Sequence, residues 1–213
     1  MSKKDFSVDR RALIVTGASA IALTACSSII GPPEAAPLYM LKAAVLPARG
    51  GPRVGWQLSI VLPQAPDSLD TTRIVLVQPG NQMDYYANSS WQDPLPMMVQ
   101  RALIEAFEGS GRIAGVGRDT DGLKSDYLLE TDIRDFQARY DTPDASPTAV
   151  VRISAKLISA HGRVIVQEKI VQGEAAAGQN SVPSVVQAFN QAFNETLGQI
   201  VAWALSAPSP VKA

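Results

Sequence analysis

The chain has one thiol, that of Cys26, and one imidazole, that of His161. The 213 residues contain one Cys and one His. A Ser or Cys nucleophile needs a neighbouring base, and a lone His beside Gly162 is better explained as an exposed turn residue. The sequence also holds no G-x-S-x-G motif. These features predict a protein that is not an enzyme.

Neither a nucleotide loop nor a metal loop is predicted. The glycines from Gly109 to Gly115 are spaced G-x-G-x-x-x-G and follow a predicted helix, whereas a dinucleotide loop joins a strand to a helix with shorter spacing. The acidic stretches Asp119–Asp121 and Asp132–Asp135 do not match the spaced calcium-binding loop of an EF-hand. We therefore expect no cofactor and no metal ion.

The chemistry at Cys26 is predicted from the residues before it. Leu23-Thr24-Ala25-Cys26 resembles the bacterial lipobox, L-[AST]-[AG]-C. The resemblance implies cleavage before Cys26 and addition of diacylglycerol to its thiol, followed by an N-acyl chain. Residues 1–25 would then be a lipoprotein signal peptide, and Cys26 the lipidated mature N-terminus.

The flanking residues favour cleavage. Lys3, Lys4, Arg10 and Arg11 form a basic start, and the apolar stretch from Ala12 to Ala25 is shorter than the roughly 20 residues of a bilayer span. An uncleaved transmembrane helix is the less favoured alternative. Arg10-Arg11 also resembles a twin-arginine export signal, although Asp9 departs from that pattern.

The remainder predicts a tether, one domain and a short tail. Residues 26–37 contain Gly31, Pro32, Pro33 and Pro37, which favour a flexible tether of about 35 Å when extended. Residues 38–207 are long enough for one domain with its own core, and residues 208–213 are predicted to be a disordered tail. The formal net charge of −1 gives no reason to expect nucleic-acid binding.

Short strands separated by Pro and Gly, an amphipathic helix, longer strands and a final helix are predicted along the domain. The short strands are Tyr39–Leu46, Val54–Leu62, Arg73–Val77 and Met83–Ala87. Asp93 is predicted to cap the first helix, Pro94 to be its first residue and Gly109 to end it. Apolar residues recur through this helix at spacings of three and four from Leu95 to Phe107.

An antiparallel meander and a second helix complete the prediction. Alternating apolar residues from Tyr127 to Tyr140 change phase near Arg134-Asp135, which indicates a bulge. A second strand centred on Val151–Leu157 joins a third through a turn at His161-Gly162. The last helix is predicted from Ser184 to Ser206. The fold class is therefore α+β, an antiparallel sheet with two amphipathic helices packed on it.

The order of these features resembles the ABC-type transport auxiliary lipoproteins. The matching residues are the lipobox, Tyr39-Met40-Leu41, Arg73-Ile74-Val75, Asp84-Tyr85-Tyr86 through Trp91 to Pro94-Leu95, Asp126-Tyr127-Leu128-Leu129, Gly162-Arg163-Val164 and the last helix ending at Trp203. The resemblance implies an α/β sandwich. It also implies a non-catalytic accessory subunit of a lipid transport system between inner and outer membranes.

The partners implied by this resemblance are a mammalian-cell-entry (MCE) type periplasmic lipid-transfer protein with its ABC permease and ATPase. Ser27 after the cysteine favours the periplasmic face of the outer membrane over the inner membrane. A homo-oligomer is left open. The alternatives are a lipoprotein that scaffolds envelope or surface-polymer assembly, and a lipid-binding chaperone that acts alone.

Candidate partner or lipid contacts lie on three segments. Tyr85, Tyr86 and Trp91 concentrate aromatic side chains before the first helix, although core packing is the favoured explanation for most of them. Met97 and Ile104 fall nearly opposite the main apolar stripe of that helix, which favours an interface. Gln191 and Asn194 lie on a polar face of the last helix that carries little charge, and a partner could cover it.

Overall fold

A computed structural model of the protein describes residues 36–43 and 51–210. The predicted signal peptide, Cys26 and most of the tether lie outside the described residues. So does the part of the predicted first strand beyond Ala43, up to Leu46.

Eight strands and two α-helices make up the described fold. The strands are β1 (Leu38–Tyr39), β2 (Gln57–Ile60), β3 (Arg73–Gln78), β4 (Gln82–Trp91), β5 (Gly115–Arg118), β6 (Tyr127–Arg139), β7 (Thr148–Ser159) and β8 (Ile165–Ala176); the helices are α1 (Leu95–Gly109) and α2 (Val182–Ala204). The predicted α+β fold of two helices on one sheet is confirmed. β5 was not predicted, because the small residues Gly115 and Gly117 give no strand signal.

The sheet is mixed and forked around β6. One edge of β6 pairs with β7 along its whole length, and β7 pairs with β8, all antiparallel as predicted. The other edge of β6 is shared between β2 near Leu129 and β3 near Ala138, both parallel to it. β5 extends β2, and β4 and then β1 extend β3.

The prediction of an antiparallel sheet is therefore wrong for one half of the molecule. β1–β4, β2–β5, β2–β6 and β3–β6 are parallel pairs, whereas β3–β4, β6–β7 and β7–β8 are antiparallel. Parallel neighbours need long crossover connections. An alternating apolar pattern marks a strand but does not identify its partner or its direction.

Both helices cover the same face of the sheet. α2 lies over β7 and β8, and α1 contacts β2 and β5. β6 alternates buried and half-buried residues through its first half, as expected for a strand with one face in the core. Its predicted bulge is confirmed, since the register with β7 shifts between Ile133 and Asp135.

The helix ends differ slightly from the prediction. α1 begins at Leu95 with Pro94 at the N-cap position, so Asp93 is not the cap. The Asp93 carboxylate instead forms an ion pair with Arg101 at 3.0 Å. α1 ends at Gly109, as predicted, and α2 lies two residues earlier in the chain than predicted.

The predicted C-terminal tail is bonded to the domain at its first residue. The hydroxyl of Tyr127 donates to the carbonyl oxygen of Pro208 at 2.9 Å. Residues 211–213 lie outside the described residues.

Candidate functional site

The space between the sheet and α2 is filled by aromatic rings. Phe189 of α2 stacks on Phe136 of β6, with ring centroids 5.0 Å apart, and meets the Trp91 ring edge-on at 5.5 Å. Phe193 meets Phe136 edge-on at 5.7 Å. Edge-on and stacked contacts of this kind are favourable beyond simple burial. Side chains therefore occupy the layer in which an acyl chain would have to lie between the sheet and α2.

Trp91 belongs to this core, in agreement with the favoured explanation of core packing, so it is not the candidate surface contact. Its side chain is 2% exposed. The residue ends β4 next to the start of α1, and its indole ring packs against both Phe136 and Phe189. The segment of aromatic residues suggested a surface because the sequence could not show which of its rings turn inward.

Tyr85 and Tyr86 are half-buried and fixed by different neighbours. The guanidinium of Arg73 lies 3.6 Å from the centroid of the Tyr85 ring, a cation–π contact. The Tyr86 hydroxyl is 2.9 Å from that of Tyr140, which donates to Asn180 Oδ1 at 2.7 Å. This network joins β4 to the residues that lead into α2. Both tyrosines therefore have a structural role at a partly exposed site.

The Tyr86 hydroxyl strongly favours its neutral form. Burial of the group, followed by its hydrogen bond to Tyr140, raises its pKa well above the ordinary value of 10.0. The hydroxyl is therefore a hydrogen-bonding group and not an acid or base near neutral pH.

Met97 and Ile104 differ in exposure. The Met97 side chain is 53% exposed, as the helical phase predicts. Ile104 is half-buried and packs against the core, which corrects its prediction as an outward residue. It lines an open cleft of about 350 Å³ between α1 and β5, with Arg101, Glu105, Glu108, Val116, Gly117, Arg118 and Asp121 as the other lining residues. β5, which was not predicted, lies across this cleft from Ile104.

The polar face of α2 is partly covered by the chain itself. Gln191 is exposed, whereas Asn194 is half-buried and its Nδ2 donates to the carbonyl oxygen of Lys42 at 3.0 Å. Gln199 Nε2 donates to the carbonyl oxygen of Gln172 on β8 at 3.1 Å. The prediction of a partner on this face thus stays a prediction for Gln191, while Asn194 has an intramolecular role.

An apolar patch on β8 was missed by the sequence analysis. The β8 patch consists of four exposed β-branched residues: Val164, which directly precedes β8, and Ile165, Val166 and Ile170 within it. Ile170 is 66% exposed. The signal that could have revealed it is the run of three consecutive β-branched residues directly after the predicted turn. Exposed apolar clusters of this kind mark interaction surfaces.

The backbone edge of β8 is partly protected against addition of another strand. The register with β7 shifts near Ile158, which marks a bulge close to Val166. Lys169 lies opposite the buried Ala155, so a charge occurs on the helix-covered face of the strand, and Gln199 engages the Gln172 carbonyl. Bulges and inward charges of this kind discourage edge-to-edge pairing. The β8 patch therefore lies beside a strand edge that pairs with no described strand and is only partly protected.

The outer face of the sheet carries alternating charges. Asp135 pairs with Arg152 across β6 and β7, Arg139 with Glu174 at 3.3 Å, and Arg134 with Asp132 at 2.8 Å. Asp121 Oδ2 accepts from the backbone N–H of Arg118 at 2.8 Å. The acidic stretches considered as metal ligands are thus engaged in ion pairs and turns.

His161 lies in the β7–β8 turn, as predicted. The residue is exposed, and the adjacent Gly162 and Arg163 have positive φ angles of 82° and 55°. The Ser159 hydroxyl donates to the His161 carbonyl at 3.0 Å. The backbone of this residue therefore helps to shape the turn.

Comparison with protein families identifies the class. Residues 39–201 match the model of the ABC-type transport auxiliary lipoprotein component, and the chain belongs to this family. Membership associates the protein with ABC-type transport and with the lipoproteins of the bacterial envelope. Within residues 36–43 and 51–210, no helix combines the length and the hydropathy needed to cross a bilayer.

The chain is similar to one curated protein and to two solved structures. An uncharacterised protein of Bradyrhizobium diazoefficiens is 27% identical over 150 residues, which are 70% of this chain and 40% of that protein. A crystal structure of a Xanthomonas campestris protein has a TM-score of 0.75 at 29% identity, covering 80% of this chain and 95% of the other. The crystal structure of a further uncharacterised protein has a TM-score of 0.63 at 17% identity, and the match covers 78% of this chain and 97% of the other.

Proposed function

We propose that the protein is anchored through an acylated Cys26 to the periplasmic face of the outer membrane. There it would act as a non-catalytic accessory subunit of an MCE-type lipid transport system. Its partners would be the MCE-type periplasmic protein, the ABC permease and the ATPase. Family membership supports the transport role, and the Leu23–Cys26 motif supports the anchor.

The single observation that carries the docking role is the position of the apolar side chains. The layer between the sheet and α2 is occupied by Phe136, Phe189 and Phe193, while the β8 patch lies on the outside. A carrier of free lipid needs an apolar space inside, whereas a docking subunit needs apolar side chains outside. This arrangement favours the accessory subunit over the stand-alone lipid chaperone.

The partner contact is tested by site-specific photo-cross-linking in cells. A cross-linking amino acid in place of Ile170 in the β8 patch should capture the MCE-type protein. The same cross-linking amino acid in place of Met97 tests the surface on α1. The control is Asp67, an exposed residue between β2 and β3 and away from the patch. Capture of surface-polymer assembly proteins instead would support the scaffold alternative.

The anchor is tested separately by mass spectrometry of the native protein. A diacylglyceryl group and an N-acyl chain are expected on Cys26, and Cys26→Ser should abolish both, because a hydroxyl does not replace the thiol in the acylation reaction. Ser28→Ala is the matched control and should be acylated normally. A mature N-terminus at any other residue would contradict the anchor.

The non-catalytic role predicts that His161→Ala leaves transport unchanged at equal protein level. The imidazole lies in an exposed turn, where substitutions usually change stability by only about 0.5 kcal/mol. A severe transport defect with normal abundance would show that the turn residue has a functional role.

A further inference from the structure

The segment Ala36–Ala43, which we name the N-terminal strap, lies across the domain with one side inward. Tyr39, Leu41 and Ala43 are half-buried and pack against the core. Leu38 and Met40 point the other way and are 66% and 49% exposed. This alternation is that of a strand with one face covered. The strap is therefore attached by side chains at every second residue.

Backbone hydrogen bonds attach the first part of the strap to the end of β4. β1 pairs in parallel with β4, with Leu38 opposite Ser90 and Tyr39 opposite Trp91. The Ser90 N–H donates to the Pro37 carbonyl at 3.3 Å, and the Gln92 N–H donates to the Tyr39 carbonyl at 2.8 Å. The tether thus ends at Pro37.

Two asparagines of α2 hold the last part of the strap. The Lys42 N–H donates to Asn190 Oδ1 at 2.8 Å, and Asn194 Nδ2 donates to the Lys42 carbonyl at 3.0 Å. Asn190 Nδ2 donates to the Val186 carbonyl at 3.0 Å, which orients its oxygen toward the strap. Two residues one helical turn apart therefore satisfy both backbone groups of one residue, as a neighbouring strand would.

We propose that the strap is a fastening that sets the length of the tether between the domain and the membrane. The proposal rests on the proposed anchor at Cys26. With the strap attached, about eleven residues separate Cys26 from Pro37, which limits the distance between them to at most about 35 Å. The strap thereby limits how far the domain can lie from its anchor.

Release of the strap would lengthen this connection. The next described attachment along the chain is Pro52, whose carbonyl accepts from Arg112 Nε at 3.4 Å. A connection from Cys26 to Pro52 has about 26 residues, with a maximum reach of about 85 Å. The strap therefore shortens the maximum reach about 2.4-fold.

The attachment is tested first without lipid. The unacylated full chain carries one native thiol, so a nitroxide at Cys26 and a second at an introduced His161→Cys give one distance distribution. The release variant is Tyr39→Ser with Leu41→Ser, on the inward side. The matched control is Leu38→Ser with Met40→Ser, which makes the same chemical change on the exposed side.

The release variant should broaden this distribution, increase its mean distance and speed amide exchange in Ala36–Ala43 at least 10-fold. The control should match the parent protein. If both variants behave like the parent, or both release the segment equally, the inward side chains do not fasten the strap and the proposal is overturned. This arm is independent of acylation, so it separates failure of the strap from failure of the anchor.

The role in tether length is tested with acylated protein in phospholipid vesicles, by energy transfer from a dye at His161→Cys to labelled lipid. The release variant should show altered transfer with a wider range of distances. Deletion of residues 36–50 removes the strap but restores a connection of about eleven residues to Pro52, and should restore the parent transfer. A deletion variant that behaves like the release variant, or that does not fold, overturns the proposal, because the strap would then stabilise the domain and not set its tether.

Discussion

The two helices rest on the same face of one sheet but contact it in different ways. α2 approaches so closely that a Cβ atom at Gly173 of β8 would overlap the Ala192 carbonyl oxygen and lie 2.8 Å from Thr196 Oγ1. α1 leaves an open cleft against β5 and presents Met97 to solvent. α2 therefore meets the sheet without space to spare at Gly173, whereas α1, which buries Leu103 and Phe107 fully, keeps exposed groups on its outer side that can be changed at little cost.

The largest difference between the two sides should appear on truncation of a core ring. Phe189→Ala removes stacked and edge-on contacts with Phe136 and Trp91 and should lower the free energy of unfolding by about 3–5 kcal/mol. Met97→Ala, on the exposed side of α1, should change it by less than about 0.5 kcal/mol. Urea unfolding measures both. Equal effects would show that the exposed side of α1 and the core under α2 contribute alike.

Close packing under α2 is tested at the glycine itself. Gly173→Ala should lower the free energy of unfolding by about 3 kcal/mol, because the new methyl group meets backbone of α2 that can move only with the whole helix. Gly109→Ala is the matched control at the end of α1, where an added Cβ has open space around it; it should be neutral or stabilising by up to about 1 kcal/mol. A neutral Gly173→Ala would mean that α2 shifts easily.

The hydrogen-bonded network of Tyr86, Tyr140 and Asn180, which precedes α2, predicts a loss of stability at alkaline pH. The pKa of Tyr86 is raised in the folded protein by burial and by Tyr140, so the neutral hydroxyl stabilises the fold below the unfolded pKa near 10. That contribution is lost as pH rises above it. Tyr86→Phe should cost about 1 kcal/mol at neutral pH and should flatten the decline above pH 10 in thermal unfolding curves. An unchanged decline would assign it to other groups, among them Tyr127, whose pKa is also raised by burial.

The smallest effect is expected on the exposed side of α1. Met97→Asp alone should shift the free energy of unfolding by less than about 0.5 kcal/mol, whereas Ile104→Lys should cost about 1 kcal/mol, because its side chain is partly buried against the core. Thermal melts of the single variants measure the difference. If Ile104→Lys is as mild as Met97→Asp, the cleft against β5 does not shield this residue.

Local patterns in the sequence determined much of the fold. Apolar spacing from Leu95 to Phe107 defined α1, and the change of phase after Ile133 located the bulge in β6. Both are properties of a single segment, whose own side chains specify which face is buried. The lipobox is likewise a local signal, and the order of motifs along the chain was enough to identify the family.

Which residues contact one another across the fold was decided only by the tertiary structure. Trp91 and Met97 both belong to the predicted contact region, yet one fills the core and the other is exposed, because Phe189 and Phe136 surround the first. Residues far apart in the chain meet in three places. These are the parallel pairs of β6 with β2 and β3, the cleft between Ile104 and β5, and the bonds from Asn190 and Asn194 to Lys42. Sequence periodicity reports which face of a segment is apolar, whereas the neighbour that meets this face depends on how the whole chain packs.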